Sequence, residues 1–426
     1  MRTMTFQRAD ILLPKFAADS EKMKAWSVVA CDQYTSEPEY WAAISQFIGE
    51  NKSTLNLTVP EIYLNDADIE ERIKRTNATM AEYMEAEVFE EYKNTYVFVE
   101  RTLQNGVKRL GIVGMVDLED YDYASDSQTK IRATEGTVIS RIPPRLKVRC
   151  EALIELPHIM LLIDDAKQEI IESNENLTDS FEKLYDFDLM QNSGHLTGYR
   201  MSEEACVTLE KKLKSLGDLA SFNQKYGVEK DAPLVYAMGD GNHSLATAKT
   251  HYENLKKEIG EDAAKQSLAR YALCELVNLH DRSLEFEAIH RVVFGAGGDA
   301  FLAALGKEYT LSFDADAKGQ SFIFVHHGAK KQVTITNPKE YLTVGTIQKF
   351  LDSYLPEVGG EVDYIHGADV VEKLCEDKSN FGIILEAMDK SDLYKSVILD
   401  GALPRKTFSM GEACDKRFYT EVRKIK

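Results

Sequence analysis

A chain of 426 residues with 44% hydrophobic and 28% charged content has ample material for two globular domains, or for one large domain with an appendage. Its 51 basic and 70 acidic residues leave a net charge of −19. That balance opposes any broad electrostatic grip on nucleic acid or on an anionic membrane, because such binding depends on neutralising phosphates. A small nucleotide is not excluded, since its charge can be met locally.

The predicted elements alternate along the chain without internal repeats. Residues 26–30 read as a buried strand, followed by an irregular segment at 31–39. From residue 66 a long helix is expected, with Ile69, Ile73, Thr76, Met80 and Met84 on one face. Residues 96–102 and 107–116 form a predicted hairpin, because Asn105 and Gly106 supply the residues of a tight turn. The apolar stretch at 152–163 is broken by Glu155, Pro157 and His158, so it cannot span a bilayer, and 159–163 reads as a buried strand. A helix over 202–216 turns Cys206, Leu209, Leu213 and Leu216 inward and stops at Gly217. Residues 271–279 are bulky and partly β-branched, which favours strand over helix. A glycine cluster at 295–298 is the expected domain boundary. Beyond it lie strands near 321–325 and 381–385 and helices near 346–355 and 369–376. The mixture with hairpins predicts an α+β fold: a mixed-sheet body over 1–295 and a smaller C-terminal α+β unit over 296–426.

The most informative turn follows an apolar run at 234–238. It reads Gly239, Asp240, Gly241, Asn242, His243, Ser244, and an amphipathic helix with Leu245, Ala248, Tyr252 and Leu255 begins at once. Two glycines let the backbone turn sharply and approach a ligand. The helix N-terminus offers N–H groups and a positive dipole end, which suit phosphate. A carboxylate, an amide and an imidazole share that one turn. The plainer alternative is that Asp240 and Asn242 only cap the helix.

Other constellations carry less. Gly295, Gly297 and Ala300 fit G-x-G-x-x-A, but the short helix expected after them is a poor crossover, and an interdomain turn is favoured. No G-x-x-x-x-G-K-[ST] and no G-x-S-x-G occur. His326 and His327 sit in a predicted strand and would point to opposite faces. A metal site from His243, His280 or His290 with Asp240 remains a third reading. Arg132 and Glu135 precede a basic run of Arg141, Arg145, Lys147 and Arg149, an island for an anionic substrate or else a solvated helix face. The six cysteines form no Cys-x-x-Cys pair, and the first residues lack the apolar core of a signal peptide. The expectation is a cytoplasmic protein with reduced thiols, no membrane span and possible homo-oligomers.

These motifs together resemble the bacterial domain-of-unknown-function family numbered 1015. That family carries Asp-Gly-His-His-Arg where this chain has Asp240, Gly241, Asn242, His243 and Ser244. Its Arg-His-Glu-x-Thr element is similar to the segment of Arg132, Glu135 and Thr137. Its Pro-Thr-His-Arg element is similar to the segment of His290 and Arg291, and its C-terminal Pro-Pro-Lys-Ser-Thr to the segment of Lys406 and Thr407. The Asp-Gly-x-His turn also resembles the phosphate turn of the ParB and sulfiredoxin superfamily, whose members include an ADP-dependent free-serine kinase. This chain departs from the family at Asn242, Ser244 and Ala133, and Ser244 replaces an arginine that would clamp phosphate. Either another cation, Arg132 or Lys406, fills in, or this branch has a changed ligand.

The resemblance implies nucleotide handling, with ADP, ATP or CTP as the nucleotide and Mg²⁺ as cofactor. The leading expectation is phosphoryl transfer to, or hydrolysis from, a small-molecule substrate. Asp240, His243 and Glu135 would be catalytic, Asp240 and Glu135 holding the metal. Gly239, Gly241, Asn242, Ser244, Arg132, His290, Arg291 and Lys406 would bind phosphate or nucleotide. The rivals are a non-catalytic nucleotide-binding switch acting through a protein partner, and a metal-dependent hydrolase.

Overall fold

The computed structural model describes residues 4–426, and the chain divides into two compact units. The first takes the described residues up to Ala133, Thr137–Leu284 and Gly411–Lys426, and the second takes Thr134–Gly136 and Glu285–Met410. The sequence boundary at 295 is therefore replaced by an insertion. The reason lies in the strand His290–Phe294, which pairs with Phe381–Ile384 and Glu361–Ile365 and so already belongs to the second unit. The last residues, in turn, build into the first.

The first unit is organised around a ten-stranded mixed sheet. Its order is Glu182–Asp188, His195–Arg200, Val97–Thr102, Lys108–Asp117, Tyr271–Asn278, Met160–Ile163, Tyr236–Asp240, Ile131–Arg132 and Tyr121–Asp122, with Phe6–Gln7 added on Lys108–Asp117. The predicted hairpin is present, with Val97 opposite Val113 and Gly106 at φ 80°. The Asn105 side chain accepts from Val107 N–H at 3.0 Å. Alternation along the strands splits the core in two. Val97, Val99 and Val113 face a cluster with Trp26, Tyr185 and Phe187, whereas Phe98 and Ile112 face one with Leu245, Ala248 and Tyr252. Residues 271–279 do form a strand, central in the sheet and buried on both faces.

Residues 26–30 depart from expectation. The helix Ser20–Trp26 runs into them, and only Val28–Val29 is strand. Trp26 is fully buried as the helix's last residue and its indole N–H donates to the Thr420 carbonyl at 3.0 Å. An apolar run of this length does not distinguish a helix end from a strand.

The second unit has a six-stranded, wholly antiparallel sheet. Helices Gly298–Glu308 and Thr343–Val358 pack on one face through Phe301, Leu305, Ile347 and Leu351, and Ala368–Leu374 on the other through Val371. The antiparallel neighbours of His290–Phe294 leave no parallel crossover for a dinucleotide turn at 295–298. His326 ends its strand and His327 lies in a turn at φ 53°, so the two rings come within 3.9 Å rather than pointing apart. Among the described residues no helix is long and apolar enough to cross a membrane.

The C-terminal residues are tied in by buried charge. Glu155 accepts from Arg423 Nε and Arg149 Nη2, each at 2.7 Å, and from Leu273 N–H at 2.8 Å. Glu155→Leu strands two arginines and should lower stability by about 3–5 kcal/mol, measured as a shift in the urea midpoint. An unchanged midpoint would mean that this pairing is dispensable.

Candidate functional site

The strand Tyr236–Asp240 ends beside a register shift between Met160 and Leu161, and the chain reverses at Gly241, φ 78°. A Cβ on Gly241 would lie 2.9 Å from the Ile159 Cα, so this position needs glycine for space as well as for conformation. Gly241 is the N-cap of the helix Asn242–Ile259, and no side chain caps that helix. The capping alternative for Asp240 and Asn242 therefore fails. Asp240 Oδ1 instead accepts from Gly241 N–H at 2.8 Å, and Oδ2 lies 3.3 Å from Lys416 Nζ. The Asn242 amide bonds the Thr137 hydroxyl at 3.2 Å. An uncapped N-terminus beside a glycine turn is an anion-binding geometry.

His243 Nε2 accepts from Val138 N–H at 3.2 Å, which leaves the proton on Nδ1. Burial, then Arg145 and Arg141, push its pKa down to about 4. His243 is thus a neutral donor at neutral pH rather than a cation.

The charged histidine is one that no sequence motif singles out. His158 is 4% exposed, with Nε2 3.3 Å from Asp32 Oδ2 and 3.4 Å from Ser244 Oγ, and Nδ1 2.9 Å from the Tyr419 hydroxyl. That hydroxyl also accepts from Cys31 N–H at 3.1 Å. Burial pulls the His158 pKa down, but Asp32, then Asp240 and Glu61, outweigh it and hold it above 6.5. The His158 ring, paired with Asp32, therefore lies beside Ser244, where the resembled family has arginine. In the sequence His158 marks only a break in an apolar run. A polar residue at the entry of a buried strand is the available signal. Asp32, Lys416 and Tyr419 carry none.

A cavity of about 140 Å³ adjoins this cluster, lined by Ser244, Thr247, His158, Tyr419, Arg145 and apolar groups such as Met80. The basic run packs beside it on the helix Ile142–Cys150, largely paired: Arg145 with Glu61, Lys147 with Glu70, and Arg149 with Glu155. Arg141 is exposed.

The remaining sequence candidates have partners of their own. Arg132 is buried and donates to the carbonyls of Thr129 and Ala232, so its guanidinium is directed to the start of the strand Tyr236–Asp240 and away from the turn. Glu135, His290, Arg291 and Lys406 belong to the second unit. There Glu135 bridges to Leu403. Arg291 is fully buried on Gln348, Ile289 and the Lys406 carbonyl, and His290 accepts from Leu385 N–H at 3.2 Å. A Cβ on Gly239 would lie 3.0 Å from the Leu162 Cγ. His280 is held by Asp164 at 2.7 Å, and the described residues contain no cluster of three metal-ligating groups. Asp240 Oδ2 is already paired with Lys416.

The fold and this site define a two-unit mixed α/β protein with an anion-ready strand–turn–helix. The chain belongs to a family described as a protein of unknown function, DUF1015, whose sequence model matches residues 12–354. No curated protein matches. Solved structures that are similar include a conserved hypothetical protein from Pyrococcus furiosus (10% identity, 72% of this chain and 93% of that one, TM-score 0.36). Free serine kinase in complex with AMP is similar at 12% identity over 73% and 91%, TM-score 0.39. SbnI from Staphylococcus aureus, truncated at its C-terminus, is similar at 9% over 70% and 82%, TM-score 0.37. Likeness at this level carries no argument about ligand or activity.

The two histidines should titrate with opposite sign. His243 is held below its ordinary 6.5, so its contribution is present above pH 6.5 and is lost as pH falls towards 4. His158 is held above 6.5, so its contribution is present below that value and is lost as pH rises through its raised pKa. In melting temperature against pH, His243→Gln should flatten the acid limb and His158→Gln the alkaline limb. The reverse pattern would refute a neutral His243 and a charged His158.

Proposed function

We propose that the first unit binds the phosphate group of a nucleotide or phosphorylated small molecule at the N-terminus of the Asn242–Ile259 helix, and acts on it by phosphoryl transfer or hydrolysis. The observation that carries this reading is the uncapped glycine turn with His158, paired with Asp32, beside Ser244. Backbone N–H groups of His243 and Ser244, the Ser244 hydroxyl and His158 hold the phosphate oxygens. His243 Nδ1–H adds a neutral donor. The organic part of the ligand occupies the adjoining cavity, whose apolar wall suits it.

Phosphoryl transfer asks a protein mainly for positioning and charge neutralisation. Asp240, ion-paired through Oδ2 with Lys416, takes the proton of the attacking hydroxyl or water. Charge that develops on the phosphoryl oxygens meets the helix dipole and His158. Glu135, Arg132, His290, Arg291 and Lys406 have no part in this scheme.

Titration calorimetry with ADP, ATP and CTP tests it, against the matching nucleosides. His158→Gln should weaken phosphate-bearing ligands by roughly tenfold or more, the loss of one charged hydrogen bond, and leave nucleoside binding unchanged. Asp240→Asn keeps the Gly241 bond and loses an ion pair worth about 0–1 kcal/mol, so turnover should fall while the melting temperature barely moves. Equal losses for nucleoside and nucleotide in His158→Gln would remove the phosphate from this place.

A further inference from the structure

The face of the large sheet that carries Val99 holds a second group of charges that the proposed reaction does not use. Arg101 and Arg109 are direct cross-strand partners. Their side chains lie in the sheet interior, at 2% and 5% exposure. Like charges opposite one another on a sheet repel, and burial removes the water that would screen them. Among the described residues neither has a carboxylate partner. Arg101 Nη2 donates to the Cys414 carbonyl at 2.9 Å and Arg109 Nη1 to the Asp415 carbonyl at 3.0 Å. The Nε and Nη1 of Arg101 and the Nε of Arg109 are buried with no acceptor among the described residues.

The neighbouring acids are engaged elsewhere. Glu275 and Glu421 both pair with Arg417. Asp415 accepts from Glu412 N–H in the turn at Ala413–Asp415. Glu275 Oε1 is itself buried without a donor among the described residues and lies within electrostatic reach of Arg101. Burial and Arg109 push the Arg101 pKa down to about 9, the direction expected of a cation that lacks its anion. The Phe418 ring covers the Arg101 guanidinium, with its centroid 5.2 Å away.

We infer that Arg101 and Arg109 form a binding site for a phosphate group, enclosed by the segment that carries Cys414, Asp415 and Phe418. Two guanidinium groups offer planar arrays of donors that match a tetrahedral oxyanion. Its protonated oxygen would donate to the open Glu275 Oε1. This site is built from other residues than the Asn242–Ile259 helix end and does not require that reading to be correct.

The test is thermal melting and titration calorimetry of the whole chain with inorganic phosphate, against chloride at matched ionic strength. Wild type should be stabilised by phosphate and not by chloride. Arg101→Met and Arg109→Met should lose that response, and their midpoints in chloride should hold or rise, because a buried unpaired charge has gone. Arg101→Lys keeps the charge without the fork and should bind phosphate roughly tenfold more weakly. Arg200→Met, which removes an exposed arginine of the same sheet, should keep the full response. The inference is overturned by a wild type indifferent to phosphate, or by Arg101→Met keeping the response. A response lost in His243→Ala but kept in Arg101→Met would overturn it too, while leaving the helix-end reading intact. If the methionine variants do not fold, Arg101→Lys and Arg109→Lys decide: affinity equal to wild type in both refutes the site.

Discussion

The first unit depends on a strap of charge that closes it from the far end of the chain. Arg417 lies between Glu275 of a central strand and Glu421 of its own segment, and all three are nearly inaccessible to water. Tyr185 donates to Glu421, and Arg423 answers Glu155. Such pairs contribute little net stability compared with apolar packing, but each is costly to break once buried. They therefore act mainly on register. With Arg417 fixed, Lys416 falls on Asp240, Tyr419 on His158, and the carbonyls of Cys414 and Asp415 on the two arginines of the neighbouring strands.

Within that frame the pKa values of two histidines move in opposite directions, down for the half-buried His243 and up for the buried His158. His243 faces arginines and a backbone donor, which both favour the neutral ring. For His158 burial works the same way, but Asp32 outweighs it and favours the protonated ring. The dipole of an 18-residue helix points its positive end at the same place. Lys416 on Asp240, the arginines near His243 and the helix dipole thus all bring positive potential to this turn.

The elements whose signal is local were legible in the sequence. The hairpin at Asn105 and Gly106, the helix stopped by Gly217 and the turn at Gly241 each follow from residues within a few positions of one another. The strand at 271–279 was readable from bulk alone. What stayed hidden depends on pairing across long separations: Asp32 with His158, Lys416 with Asp240, Tyr419 with both Cys31 and His158. The order of Arg132, Glu135 and the residues of the glycine turn along the chain suggested one composite site. It could not reveal that the Arg132 guanidinium turns to the carbonyls of Thr129 and Ala232. Nor could a glycine cluster at 295–298 mark a boundary, since the strand before it was already committed to the second sheet.

The insertion of the second unit has a consequence for how the protein is made. A ribosome delivers the large sheet first, then the whole of Glu285–Met410, and only afterwards the residues that complete the sheet's charged face. Until then Glu275, Glu155 and His158 lack the partners that Arg417, Arg423 and Tyr419 supply, and the half-built unit is held in a state with buried charge exposed to water. Contacts of such long sequence separation form late and slowly. Closure of the first unit's charged face therefore waits until the second unit has been translated.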